Sequence, residues 1–178
     1  MRRGFAVHSA FVRWGGPMVL AASVLGAAGF RRGAERNVRA TFHRIGQGDY
    51  EALLEQVAPT VLHIFPGDHA LGGTRHTRDA LRRWFERLSL LFTELHFEVK
   101  EVTVRGWPWD ATVMVQWENW GTARDGQPYA NQGTHVVRLR RGRVIYLHEY
   151  LDSQRVAEVC RRLVEQGVSD AAAEPITD

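Results

Sequence analysis

The sequence predicts a single α+β domain, and three observations carry that prediction. A stretch with helical apolar spacing lies near the middle of the chain, the segments after it alternate with period two, and a second helical stripe follows the last of them. Helices grouped around a run of antiparallel strands pack on one side of the resulting sheet. The length of 178 residues suits one domain, and an apolar fraction of 44% is enough for a core.

Ala34 to Ile45 reads as a helix with Val38, Phe42 and Ile45 on one side, ended by Gly46 and Gly48. Asp49 is placed to cap a short second helix carrying Tyr50, Leu53, Leu54 and Val57, which Pro59 closes. "TVLHIF" (60–65) is a strand, and 68–77 is an irregular loop or hairpin return. Thr77 caps a third helix whose stripe is Leu81, Trp84, Phe85, Leu88, Leu91 and Phe92. Strands follow over 95–106 and 111–122, joined by the aromatic turn "WPWD", which is expected to plug an edge of the sheet. The "DG" at 125–126 signals a hairpin, and two more strands flank Arg141 and Gly142. Asp152 or Ser153 caps a last helix with Val156, Val159, Cys160, Leu163 and Val164 on one face. The expected organisation is an apolar and basic extension over 1–33, a domain over 34–165 and a disordered tail over 166–178.

Charge excludes one class of partner. Residues 1–33 hold five arginines and no acid, and without them the body of the chain is slightly acidic. A nucleic-acid binder needs a basic patch on its folded body, so none is expected. The run "GGPMVLAASVLGAAGF" (15–30) is shorter than the roughly 20 residues of a membrane span. It fits a signal-peptide core, an anchor or a start upstream of the native fold, and "RRGF" faintly resembles a twin-arginine export signal. A cytoplasmic protein is expected, with an exported or anchored one as the alternative. A single cysteine, dispersed histidines and the lack of a Gly-rich phosphate loop or nucleophile elbow imply no disulfide, metal or cofactor.

Strand periodicity places polar groups on an apolar face. Val61, His63 and Phe65 share one side; so do Val113, Val115, Trp117 and Asn119; so do Asn131, Gly133, His135, Val137 and Leu139. In the last strand the inward set is either Leu147, Glu149 and Leu151 or Val144, Tyr146, His148 and Tyr150, and parity does not choose between them. Several imidazoles and amides on one inner face point to a ligand-sized hollow, because each costs about 1–3 kcal/mol if buried without a partner.

The order of elements resembles the SnoaL-like, nuclear-transport-factor-2-like superfamily, to which steroid isomerases, limonene epoxide hydrolases and polyketide cyclases belong. The resemblance rests on "GDYEALLEQVAPTVLHIFPGDHALGGTRHTRDALRRWF" and "DGQPYANQGTHVVRLRRGRVIYLHEYLD". It implies a cone-shaped, curved, mainly antiparallel sheet, with three helices from the N-terminal half on the concave face and a C-terminal helix. It also implies a homodimer, with His148 and Tyr150 on the convex face. Aligned with steroid isomerases, His63 takes the place of the aspartate base, His135 that of the acid facing the oxyanion, and Thr41 that of a helix tyrosine. Aligned with limonene epoxide hydrolases, Glu149 matches a catalytic aspartate and Asn119 lies near its partner. Neither set is complete, since His, Thr and Asn replace the residues each chemistry uses; a histidine pair also resembles the scytalone dehydratase arrangement.

The expectation that follows is a cofactor-free isomerase, cyclase, dehydratase or hydrolase acting on a small apolar, ring-containing molecule. His63 is the base, His135 the donor to a developing oxyanion, and Glu149 or Asn119 orients one of them. Thr41, Phe65, Trp84, Trp117, Asn119 and Asn131 are the expected substrate contacts. The alternative is a non-catalytic module that uses the same hollow for ligand binding, or serves as a dimer partner.

Overall fold

A computed structural model describes residues 16–178, with side chains from residue 26 onward. The first half of the basic, apolar extension therefore lies outside the described residues. The first helix is longer than its apolar spacing suggests: α1 runs without interruption from Gly16 to Gly46. No helix among the described residues is long and apolar enough to cross a membrane.

The chain continues through α2 (Glu51–Leu54), β1 (Val57–Phe65), β2 (Gly73–Thr77), α3 (Arg78–Leu91), β3 (Phe92–Trp107), β4 (Asp110–Ala123), β5 (Pro128–Arg140), β6 (Arg143–Leu151), α4 (Ser153–Glu165) and α5 (Ser169–Ala172). The six strands form one sheet in the order β2-β1-β6-β5-β4-β3. Every pairing is antiparallel except β1 with β6, so the first strand inserts beside the last. The class is α+β as the periodicities predict, with α1 packed across β3 and α3 across β1, β2 and β3.

Asp49 does not cap α2; it pairs with Arg44 at 2.7 Å, and Tyr50 occupies the cap position without a side-chain bond. Pro59 does not end a helix but lies inside β1, where the register slips against both neighbouring strands. A bulge tolerates a residue that has no N–H to donate. The "WPWD" turn is not a plug: Trp107 and Trp109 stack with ring centres 5.6 Å apart and stay exposed at the tip of the β3–β4 hairpin. The tail, expected to be disordered, folds back on the domain. Val168 and Ile176 pack on the core, Ala171 is buried in α5, and the Asp178 carboxylate accepts from the His76 backbone N–H at 2.8 Å.

Two caps behave as expected. Thr77 accepts from the Ala80 N–H at the start of α3, and Asp152 accepts from Gln154 and Arg155 at the start of α4. Behind them Leu81, Trp84, Phe85 and Leu88 join Val156, Val159, Cys160 and Leu163 in the larger apolar cluster. A smaller cluster of Phe42, Val113, Val115 and Trp117 lies between α1 and β4. Thr77→Ala removes the α3 cap and is expected to cost about 1 kcal/mol, read as a lower urea midpoint with an unchanged slope.

Candidate functional site

Register puts the polar residues in one row. His135 of β5 lies between Val115 of β4 and Glu149 of β6, and His63 of β1 pairs beside Leu147 of β6. Glu149 is 7% exposed and His63 is fully buried. The Glu149 carboxylate meets His63 Nε2 at 3.0 Å through Oε1 and His135 Nε2 at 2.8 Å through Oε2. On the far side of His63, Arg75 approaches Nδ1 at 3.3 Å. Arg75 is also fully buried, and its guanidinium donates to the carbonyls of Leu71, Gly72 and Gly73.

The donors settle the tautomers. A guanidinium can only donate, so His63 Nδ1 is an acceptor and Nε2 carries the proton given to Glu149. Burial pushes the His63 imidazole below its ordinary value against the pull of Glu149, which keeps the ring neutral. Burial alone raises the Glu149 carboxyl, but its interactions with His135 and His63 outweigh it and hold Glu149 well below the usual carboxylate range. Burial lowers Arg75 to about 10, so it stays charged at neutral pH. The row thus runs from a buried cation through a neutral imidazole to a buried carboxylate and on to His135.

His135 opens onto a cavity of about 420 Å³. Its floor is Val113, Val115, Val137, Leu139, Val144, Leu147 and Glu149 on the sheet; α1 supplies Phe30, Val38, Thr41, Phe42 and Ile45, and α3 supplies Trp84, Phe85 and Leu88. The hollow lies where the two apolar clusters meet and its walls are mainly apolar. No lysine or arginine lines it among the described residues. With Nε2 committed to Glu149, Nδ1 is the nitrogen of His135 left for a ligand.

The sequence profile of the SnoaL-like domain matches residues 38–147, more than half of the chain. This chain belongs to the SnoaL-like domain family. Solved structures agree on the fold. An NTF2-like protein of unknown function from Burkholderia pseudomallei is 21% identical with a TM-score of 0.62, covering 70% of this chain and 95% of that one. PrhC from Penicillium brasilianum is 17% identical with a TM-score of 0.61, covering 76% and 93%. TerC, co-crystallised with polyporic acid, is 17% identical with a TM-score of 0.57, covering 70% and 95%. No curated protein matches the chain in sequence.

Within this SnoaL-like domain the expected residues separate. His135, Glu149, Thr41 and Trp84 border the large cavity; His63, Phe65, Trp117, Asn119 and Asn131 do not. His63 does not fit the role of base on a ligand, because both ring nitrogens are engaged and the ring is sealed. His135 is not poised as a donor in its neutral form, because its N–H points at Glu149. Thr41 has no hydrogen left for an oxyanion: its hydroxyl donates to Asn37 O at 2.8 Å and accepts from Gln56 at 3.0 Å. Trp84 is both core and wall, with Nε1 donating to Leu71 O at 2.8 Å. Asn131 donates to Asp152 O at 2.9 Å, tying β5 to the start of α4, and with Asn119 borders a separate surface space. Of the two parities left open for the last strand, the Glu149 set faces inward. Val144 of the other set is buried as well, because a bulge between Arg138 and Leu139 of β5 shifts the register.

Arg75 escaped sequence reasoning. It stands two residues before a helix cap in an arginine-rich chain, and its only local sign is the pair Gly72–Gly73, whose carbonyls it uses. His69, within the segment expected to be an irregular loop or hairpin return, is packed against Phe65 with ring centres 5.8 Å apart.

Arg75→Met leaves the Glu149 charge without its compensating cation and is expected to destabilise the domain by roughly 3–5 kcal/mol in urea denaturation. Acid weakens the fold in two stages. His63 and His69 are held below 6.5 by burial, so once pH falls below 6.5 the unfolded chain takes up protons that the folded chain refuses. Glu149 adds a second loss below 4.5, where the unfolded carboxylate protonates first. The urea midpoint should be flat from 6.5 to neutral pH, fall below 6.5 and fall more steeply below 4.5; a midpoint that rises on acidification contradicts this assignment.

Proposed function

We propose that this SnoaL-like domain takes up a small, uncharged, ring-containing molecule in the cavity between α1 and α3 and moves a proton at its His135 end. The supporting observation is the His135–Glu149 pair: a buried, ionised carboxylate 2.8 Å from Nε2 of a histidine whose ring borders an apolar cavity. Glu149 fixes the tautomer that presents Nδ1 as the base and stabilises the imidazolium that forms when Nδ1 takes a proton from carbon or water. Returning the proton from Nδ1 to another atom of the ligand completes an isomerisation or an elimination without a cofactor. An anionic ligand fits poorly, because the inner end of the cavity carries a carboxylate and no cation among the described residues lines its walls. The co-crystallisation of TerC, a relative in fold, with polyporic acid supports a small molecule as the occupant of such a domain.

One observation favours a second reading, binding without chemistry. Thr41, the polar side chain of α1 expected to assist an oxyanion, has already spent its hydroxyl on Asn37 and Gln56. A thermal-shift screen of uncharged cyclic compounds, followed by mass spectrometry of each ligand recovered from D2O, separates the two. Proton transfer predicts deuterium at a ligand carbon with the native protein, and a loss of roughly 100-fold or more in His135→Gln with the ligand still bound. Ligands that bind but never gain deuterium leave the binding-only reading standing.

A further inference from the structure

A second, smaller space carries polar groups that the large cavity lacks. This chamber of about 40 Å³ lies beside Glu149, bordered by Phe65, Trp84, Trp117, Asn119, Tyr129 and Glu149 among others. Three of these residues have unspent hydrogen-bonding capacity. Trp117 Nε1 is buried with no partner among the described residues, and so is Asn119 Oδ1; the two residues are 2% and 7% exposed. The Tyr129 hydroxyl accepts from Asn131 Nδ2 at 2.9 Å, which leaves its own hydrogen to be donated. Trp117 reaches this position because Gly133 lies opposite: a Cβ there would stand 2.8 Å from the Trp117 ring and 2.4 Å from Tyr150 O.

We infer that the chamber binds one long-lived water molecule, held by Trp117, Asn119 and Tyr129 behind the His135–Glu149 pair. The chemistry is complementary atom by atom. The indole N–H and the phenol O–H are donors, which the two lone pairs of water accept; Asn119 Oδ1 is an acceptor for one hydrogen of the water. Its second hydrogen is free for the Glu149 carboxylate on the chamber wall. About three partners are usual for a buried water, and the space exceeds the roughly 10–15 Å³ that one needs. An anion would face the charge of Glu149, a cation would face an indole N–H, and an apolar group would leave the polar atoms unpaired. The water shares Glu149 with the proposed proton transfer, but its retention by Trp117, Asn119 and Tyr129 holds whether or not the domain is catalytic.

The test is water–protein NMR on the full chain labelled with 15N, with the Trp117 indole resonance assigned by its disappearance in Trp117→Phe. A dipolar cross-peak from water to the Trp117 indole N–H, opposite in sign to chemical exchange, is the expected result. Asn119→Leu fills the chamber and should abolish that cross-peak. Tyr129→Phe, which removes a single oxygen, should weaken it, and keeps the test available if Asn119→Leu fails to fold. A folded native protein with no such cross-peak, whose crystals under xenon show the gas in this chamber, overturns the inference: the space is then dry and the two polar atoms are simply unpaired.

Discussion

A carboxylate removed from water must be compensated where it lies, and in this domain the compensation of Glu149 dictates the arrangement around it. Two imidazoles donate to its two oxygens, one from each neighbouring strand. A buried guanidinium behind one of them supplies the cation. Each group is acceptable in the interior only because the next is present, since an unpaired buried charge costs several kcal/mol. That mutual dependence makes β1 the partner of β6. His63 can stand between Arg75 and Glu149 only if the first strand inserts in parallel beside the last.

The same row separates two spaces of different character. On the side of α1 the sheet presents valines and leucines, and the hollow is shaped by Phe42, Trp84 and Phe85, with His135 as the polar group at its inner end. Beside it, aromatic and aliphatic side chains line a smaller space whose unspent polar atoms belong to Trp117, Asn119 and Tyr129. Glu149 borders both. A ligand in the first space and polar groups in the second would therefore act on one carboxylate.

Much of the fold was legible because its signals are local. The stripe of Leu81, Trp84, Phe85 and Leu88 reports a helix on a core, Thr77 and Asp152 have the side chains that caps require, and the inward sets of β1, β4 and β5 follow from period two. Where locality failed, a specific competitor won. Pro59 resembled a helix stop but sits at a bulge, and Val168 and Ile176 look like an exposed tail until the core that receives them is in place. The "WPWD" aromatics stack on each other rather than on the sheet, which no spacing rule foretells.

For the candidate site, the sequence by itself determined that His63, Asn119, Asn131 and His135 point inward, because a strand alternates whatever it pairs with. It did not determine that Glu149 joins them, that Arg75 stands behind His63, or that of the two histidines only His135 borders the large cavity. Those depend on strand register, on bulges in β1 and between β5 and β6, and on the height at which α1 crosses the sheet. Register and bulges are chosen by packing between residues far apart in the chain, so only the tertiary structure decides which of the inward residues meet.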